Sequence, residues 1–166
     1  YSVKGYSQSV EQDRRNQDKM TGVVIIGAGQ AAAQTAASLR QEKFEGPITI
    51  FGDESEFPYQ RPPLSKDYLA GKISVEKTLV RPQEFYNSKN IAVNLDTKVK
   101  EIDPEKNTIS TESAETHKYD NLVIATGSRA RELRIPGSEL NGIHYLRSLR
   151  DVDSIRTEMR TAKEIC

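Results

Sequence analysis

The sequence predicts an α/β fold in which a parallel sheet and helices carry a small antiparallel β insertion. The run Val23 to Ile26 is continuously apolar, as buried parallel strands are, and an alanine-rich helical stretch follows it. A second apolar run, at 121–127, ends in glycine. Between these runs lie short alternating segments that turn residues separate, which is typical of antiparallel strands.

The first half of the chain alternates predicted helices and strands. We expect a helix from Gln30 to about Lys43, because Gly46-Pro47 ends it, and a strand over 48–51. A long loop with several prolines follows. Ser65 is a plausible N-cap for a short helix that ends at Gly71, and Pro82 suits the first position of another that ends at Ser88.

The second half is predicted to hold several short strands and one longer helix. Three strands, expected to be antiparallel, are predicted at 91–95, 99–102 and 108–111. The run at 121–127 should be a buried strand of the parallel sheet. A helix is expected over 148–162, where Ser148 and Asp151 have the spacing of a capping box, and 164–166 resembles the start of a further strand.

Composition excludes several classes of protein. The 24 basic and 24 acidic residues cancel, so net charge argues neither for nor against a nucleic-acid partner. No apolar stretch near the start is long enough to span a membrane, and no signal peptide is recognisable. The one cysteine, Cys166, permits no intrachain disulfide, which suits a cytoplasmic protein. His117 and His144 stand far apart without a ligand cluster, so no metal site is expected.

A glycine-rich turn carries the strongest functional signal. Gly27-Ala28-Gly29-Gln30-Ala31-Ala32 joins a predicted strand to a predicted helix, which is the Rossmann-like dinucleotide fingerprint in its required context. Gly27 permits the turn, Gly29 lets a pyrophosphate approach the backbone, and the helix N-terminus receives the phosphates. An acidic residue after the second strand should bind the ribose, and the sequence alone does not separate Asp53 from Glu54. The alternative is a glycine turn in an ordinary α/β sheet.

A second motif runs from Pro58 to Lys66. Its prolines fix a stiff path that would hold Arg61 and Lys66 at defined positions. In the predicted helix Lys66 would lie in the first turn, where a cation is disfavoured by roughly 0.3–1 kcal/mol. An anionic partner, such as a reduced flavin, would explain a lysine at this position. The alternative is a lysine that faces solvent.

Together these motifs resemble a known family. The glycine fingerprint, Gly-Asp-Glu at 52–54, Pro-Tyr-Gln-Arg-Pro-Pro-Leu-Ser-Lys at 58–66, Tyr-Asp-Asn-Leu-Val-Ile-Ala-Thr-Gly-Ser at 119–128 and His-Tyr-Leu-Arg at 144–147 are similar to the FAD-dependent ferredoxin reductases. That family includes the rubredoxin and putidaredoxin reductases. The resemblance covers about 20–166 and implies electron transfer from NAD(P)H through FAD to a ferredoxin or rubredoxin-type iron–sulfur protein.

The resemblance also implies roles for individual residues. It assigns the glycine fingerprint to FAD rather than to the nicotinamide cofactor, and it places Lys66 beside the reactive flavin ring as the catalytic residue. The residues that it implies for FAD binding are Gly27, Gly29 and Ala31 at the diphosphate, Asp53 at the ribose, Arg61 and Lys66 near the flavin, Val99 at the adenine, and Ala125, Thr126, Gly127 and Arg147 against the cofactor.

The chain also departs from the pattern of related proteins. Disulfide oxidoreductases carry a Cys-x4-Cys pair near the flavin, whereas this region reads Arg-Pro-Pro-Leu-Ser-Lys, so electrons would leave the flavin directly. A second glycine fingerprint for NAD(P) does not occur, and we therefore expect an N-terminal fragment without complete NADH-dependent turnover. Residues 1–19 are expected to be a disordered or upstream extension, 20–127 the first part of the FAD-binding domain, and 128–166 a linker, a helix and the start of an NAD(P)-binding domain.

Other functions remain open at this point. The flavin domain of a nitrite reductase and an apoptosis-inducing-factor-like flavoprotein are similar enzymes. A dinucleotide-binding module without redox activity is the alternative from a different class.

Overall fold

The computed structural model describes residues 22–164, which form two sheets with helices. The strands, in chain order, are β1 (Val23–Ile26), β2 (Ile48–Phe51), β3 (Ile91–Asn94), β4 (Val99–Asp103), β5 (Thr108–Thr111), β6 (Thr116–Lys118) and β7 (Asn121–Ile124). The helices are α1 (Gln30–Gln41), α2 (Gln83–Ser88) and α3 (Leu149–Met159), with two 3₁₀ turns at Pro62–Ser65 and Val75–Thr78. The predicted fold class is confirmed.

The four-stranded parallel sheet has the order β3-β2-β1-β7, and the three-stranded antiparallel sheet has the order β4-β5-β6. Because β1 lies between two parallel neighbours, all of its residues are buried. Ile25 stands opposite Ile50, and neither side chain is exposed. Burial of each such side chain is worth about 1.5–3 kcal/mol.

The parallel sheet packs between α1 and the antiparallel sheet. On one face Ala32 and Ala36 of α1 meet the β1 and β2 side chains, and their small size lets the helix lie close to the sheet. On the other face Phe51 packs against Ile109 and Tyr119. Both faces of the sheet are therefore covered at β1 and β2, and the strand ends are available for a site.

Strand β3 corrects one prediction. It was expected to be antiparallel, but it pairs in parallel with β2, with Ile48 opposite Ile91. The reason is that α2 precedes it and provides the crossover connection that a parallel neighbour requires. Ile91 is 4% exposed and joins the same core as Ile48.

Strand β7 corrects another. It is parallel as predicted, but it is not a buried strand: Ile124 is 63% exposed. Within the part of the chain that the structure describes, β7 pairs only with β1 and forms an edge of the sheet. An edge strand has a neighbour on one side only, so its apolar residues stay partly open to solvent.

The segment after the prolines also differs from the prediction. Ser65 does not cap a helix that reaches Gly71. It ends a 3₁₀ turn instead, and hydrogen-bonded turns follow, in which the carbonyl of Pro63 accepts from the N–H groups of Lys66 and Tyr68. The backbone leaves the helical region at Lys66, where φ is −132° and ψ is −112°, so the turn does not continue as a helix.

Two predicted helices differ from the structure only at their ends, and one strand was not predicted. Helix α1 ends earlier than Lys43, and Pro82 is the N-cap of α2 rather than its first residue. The capping box at Ser148 and Asp151 is confirmed. Strand β6 was missed because its sequence, Thr-His-Lys, has no apolar pattern. The predicted extension at 1–19 and all but the first residue of the predicted strand at 164–166 lie outside the described residues.

Residues 22–164 hold neither a membrane-spanning helix nor a cluster of metal-binding side chains. None of the helices in this range is long and apolar enough to cross a membrane. The same range contains no group of three or more His, Cys, Asp or Glu residues arranged to hold a metal ion.

Candidate functional site

The candidate site is a cavity of about 810 Å³ at the carboxyl ends of β1, β2 and β7. Gly27 follows β1, Asp53 follows β2 and Thr126 follows β7, so the topology brings the three together. Val99 at the start of β4 and Arg147, just before α3, complete the wall. Ligands of open parallel sheets bind at this edge, and the volume lies within the usual range for ligand sites.

The two glycines of the fingerprint serve different purposes. Gly27 has a φ of +105°, and a Cβ on it would stand 2.3 Å from the carbonyl oxygen of Ala125, so the fold itself requires glycine there. Gly29 is the N-cap of α1 with extended backbone, and a Cβ on it would meet nothing within 4 Å. The protein has no steric need for glycine at 29, which leaves open space for a ligand.

The N-terminus of α1 suits an anion. No side chain caps it, and its first turn contains no acidic residue. The first N–H groups of a helix have no partner within the helix and carry partial positive charge. A phosphate group would satisfy both conditions.

The two acidic residues after β2 have different surroundings. Glu54 uses both oxygens: Oε1 accepts from Arg61 Nη2 at 2.7 Å, and Oε2 accepts from the Tyr59 hydroxyl. Asp53 is exposed, lines the cavity and makes no hydrogen bond or ion pair with any residue in the described range. Only Asp53 therefore has a carboxylate free to accept hydrogen bonds from a ligand.

Tyr59 joins three segments of the chain. Its hydroxyl donates to Glu54 and accepts from Arg61 Nη1 at 2.9 Å and from the backbone N–H of Leu149 at 3.3 Å. The residue is 3% exposed. Burial, together with the Glu54 carboxylate, raises the pKa of the Tyr59 hydroxyl well above its usual value, so it remains protonated.

Arg147 is fixed at three points on its backbone and side chain. Its carbonyl accepts from Arg61 Nη1 at 2.6 Å, its N–H donates to Asp151 Oδ2 at 2.9 Å, and its Nε donates to the carbonyl of Ser128 at 3.1 Å. Ser128 directly follows the Ala-Thr-Gly segment. Arg147 therefore connects the end of β7 with the start of α3 across the cavity.

Comparison with known proteins identifies the family. The model of the pyridine nucleotide-disulphide oxidoreductase family matches residues 21–165, nearly the whole chain. The chain belongs to this family. The predicted resemblance is therefore confirmed, although the sequence holds a single cysteine and no dithiol pair.

The relatives of this chain include proteins named as ferredoxin and rubredoxin reductases. A ferredoxin–NAD(P)+ reductase of a Sphingomonas species is 42% identical over 82% of this chain and 33% of its own length. A rubredoxin–NAD+ reductase of Pseudomonas putida is 39% identical over 82% of this chain and 36% of its own. The chain thus spans about a third of the length of these relatives.

Solved structures of the same oxidoreductase group share the fold. A ferredoxin reductase from Rhodopseudomonas palustris has a TM-score of 0.79 and 38% identity over 85% of this chain and 35% of its own. The covalent putidaredoxin reductase–putidaredoxin complex matches with a TM-score of 0.77 and 36% identity over 84% of this chain and 34% of its own.

The oxidoreductase fold brings together most of the residues predicted for the site. The cavity is lined by Gly27, Asp53, Glu54, Arg61, Val99, Thr126, Gly127 and Arg147. The residues that do not line it are Gly29, Ala31, Lys66 and Ala125.

Lys66 needs a different account from the one that the sequence suggested. It follows the 3₁₀ turn instead of beginning a helix, so the argument from an unfavourable helix dipole was wrong. Its side chain is exposed and forms no ion pair with the residues described.

Sequence reasoning missed several residues of the site. Tyr59 was quoted in the motif without a role, and Asp151 was noted only as a capping residue. For Tyr59, an aromatic residue next to Pro58 gives no sign that its hydroxyl will reach α3. Residues that line the cavity but were not predicted for the site also include Ser128, Arg129, Tyr145 and Arg150.

Proposed function

We propose that this chain is the FAD-binding part of an NAD(P)H-dependent ferredoxin reductase. The cavity in which the glycine turn, the free carboxylate of Asp53 and the fixed Arg147 meet carries this proposal. In the proposal, residues 20–127 are the first part of the FAD-binding domain, and 128–166 lead into an NAD(P)-binding domain.

The described residues fit a dinucleotide. The N–H groups at the start of α1 would bind the diphosphate, and the open space at Gly29 would let it approach. Asp53 would accept hydrogen bonds from the ribose hydroxyls, because a carboxylate can accept from two donors at once. The Val99 backbone would contact the adenine, and the Thr126-Gly127 turn would lie against the cofactor.

Lys66 is the proposed catalytic residue. Bound FAD supplies the chemistry, acceptance of a hydride and release of single electrons. The exposed ammonium group of Lys66 would stabilise negative charge near the flavin ring. Arg61, which is also expected near the flavin, is hydrogen-bonded to Glu54 and to the Arg147 carbonyl.

The proposed electron acceptor is a small iron–sulfur protein of the ferredoxin or rubredoxin type. Relatives that share the fold and about two-fifths of the matched residues carry names that state such partners. Neither a nucleic acid nor a membrane has a role in this proposal. The proposal also includes a cytoplasmic location, because the single cysteine permits no intrachain disulfide.

A titration with FAD tests the proposal. The 166-residue chain is expected to bind FAD, to turn yellow, and to quench the flavin fluorescence with one site per chain. Asp53→Asn should weaken FAD binding about tenfold, since an amide is a poorer acceptor for two ribose hydroxyls. Asp67→Asn, which removes an exposed carboxylate 3.9 Å from Lys72, is the matched control and should bind like the parent.

Two results would overturn the proposal. A colourless protein that binds NAD but not FAD would support the dinucleotide-binding module instead. Equal FAD affinity in the parent and in Asp53→Asn would remove the assigned ribose contact.

A further inference from the structure

We propose that Glu54, Tyr59 and Arg61 form a clamp that positions Arg147. This inference rests on the proposed function, because Arg147 is assigned there to the cofactor. It adds a positioning role to Glu54 and Arg61, which the sequence placed among the FAD-binding residues and which line the cavity.

The three side chains of the clamp are hydrogen-bonded to one another. Both carboxylate oxygens of Glu54 accept hydrogen bonds from Tyr59 and Arg61. Arg61 Nη1 donates to both the Tyr59 hydroxyl and the Arg147 carbonyl, while Nη2 donates to Glu54. The Arg61 and Glu54 side chains are 29% and 28% exposed, so the pair is shielded on most of its surface.

The clamp connects distant parts of the chain at the site. Arg61 and Arg147 are 86 residues apart in sequence, and a hydrogen bond of 2.6 Å joins Arg61 Nη1 to the Arg147 carbonyl oxygen. The Tyr59 hydroxyl accepts from Leu149, the first residue of α3. The loop after β2 is thereby attached to the segment that carries Arg147.

The position of Arg147 leaves part of its guanidinium available. Nε is taken by the Ser128 carbonyl, whereas the two Nη groups have no hydrogen-bond partner among the described residues. A Cβ on Gly127 would lie 3.6 Å from Arg147 Nη2, so the guanidinium borders the Ala-Thr-Gly turn at the cavity. The clamp thus fixes the backbone of Arg147 and leaves its terminal N–H groups free for an anionic or carbonyl group of the cofactor.

A pair of tyrosine variants tests the clamp in the FAD-binding assay. Tyr59→Phe removes only the hydroxyl and keeps the ring in its apolar cluster. Tyr68→Phe is the control, because Tyr68 packs in the same cluster and its hydroxyl binds Asp153 at 3.0 Å, outside the clamp. Tyr59→Phe should raise the Kd for FAD about tenfold, and Tyr68→Phe should change it less than twofold. Equal effects of the two variants would overturn the clamp.

A double-mutant cycle separates positioning from general destabilisation. If Tyr59 acts through Arg147, then Tyr59→Phe should change FAD affinity less than twofold when Arg147 is already alanine. A merely structural role would show the full tenfold loss in both backgrounds, and that additive result would contradict the proposal. Arg61→Lys keeps the charge but loses the fork that reaches two partners at once, and it should follow the same pattern.

Hydrogen exchange tests the clamp without FAD. The Leu149 amide loses its tyrosine partner in Tyr59→Phe, so its exchange should become at least tenfold faster, whereas Tyr68→Phe should leave it unchanged. If the parent chain failed to bind FAD, the proposed function would fall while faster exchange would still support the clamp. Unchanged exchange at Leu149 in Tyr59→Phe would overturn the clamp whatever the cofactor result.

Discussion

Gly27 and Ala125 approach each other so closely that a side chain at position 27 would collide with the carbonyl oxygen of Ala125. The Gly27 Cβ would lie 2.3 Å from that oxygen, at a φ of +105°. The contact joins the turn after β1 to the segment after β7, which is parallel to β1. Gly27 of the glycine fingerprint and Thr126-Gly127 of the Ala-Thr-Gly motif, more than 90 residues apart in the sequence, therefore line the same cavity.

Replacement of Gly27 by alanine should destabilise the fold. Backbone strain at such a φ costs roughly 1–3 kcal/mol, and the collision with Ala125 adds to it. We expect the free energy of unfolding of Gly27→Ala, measured in urea, to fall by about 3 kcal/mol or more. A loss below about 1 kcal/mol would mean that the turn relaxes without cost.

Replacement of Gly29 by alanine should weaken FAD binding and leave the stability of the fold almost unchanged. Gly29 has extended backbone and a Cβ there would meet nothing within 4 Å, so stability should change by less than about 1 kcal/mol, which includes the loss of a glycine N-cap. The new methyl group would occupy the space proposed for the diphosphate, so the Kd for FAD should rise about tenfold or more. Parental affinity in a folded Gly29→Ala would show that no ligand approaches there.

The sequence alone predicts the strands of the parallel sheet and the place of the site, because apolar runs and a glycine turn are local signals. It does not predict that β3 is parallel, since strand direction depends on the crossover through α2. The sequence also does not predict the hydrogen-bond partners of Glu54. Asp53 and Glu54 are adjacent and chemically similar, and only the path of the chain brings Arg61 and Tyr59 to one of them.

Asp151 should make stability depend on pH in the acidic range. Burial raises the pKa of the Asp151 carboxyl. Hydrogen bonds from the N–H and the hydroxyl of Ser148 and from the Arg147 N–H outweigh burial, so the pKa lies below its ordinary value of 3.8. A depressed pKa means that the carboxylate stabilises the fold above pH 3.8 and loses this effect as the pH falls through the lower folded-state value.

Asp151→Asn should therefore be less stable than the parent by about 1 kcal/mol at pH 7, the usual worth of a helix cap, and the difference should shrink below pH 3.8. Urea unfolding at several pH values measures this. Asp67→Asn is the control, because its exposed carboxylate lies 3.9 Å from its only described ion-pair partner, Lys72. A difference that stays constant down to pH 2 would show that the charge of Asp151 plays no part.

Lys66 should affect the flavin more than the fold. Its side chain is exposed and makes no ion pair with the described residues, so Lys66→Gln should leave the free energy of unfolding within about 0.5 kcal/mol of the parent. If its ammonium group stabilises charge on the reduced flavin, its removal should lower the two-electron reduction potential of bound FAD. A loss of about 1 kcal/mol of charge interaction corresponds to a shift on the order of 20 mV.

The potential can be measured by dye-coupled photoreduction of the FAD-loaded chain. Lys72→Gln removes another exposed lysine from the same segment and should leave the potential unchanged, because Lys72 lies 3.9 Å from the Asp67 carboxylate and is not proposed to act on the flavin. Lys66→Arg retains the charge and should restore most of the parental potential. A parental potential in Lys66→Gln, or equal shifts in Lys66→Gln and Lys72→Gln, would remove Lys66 from the proposed electron-transfer chemistry.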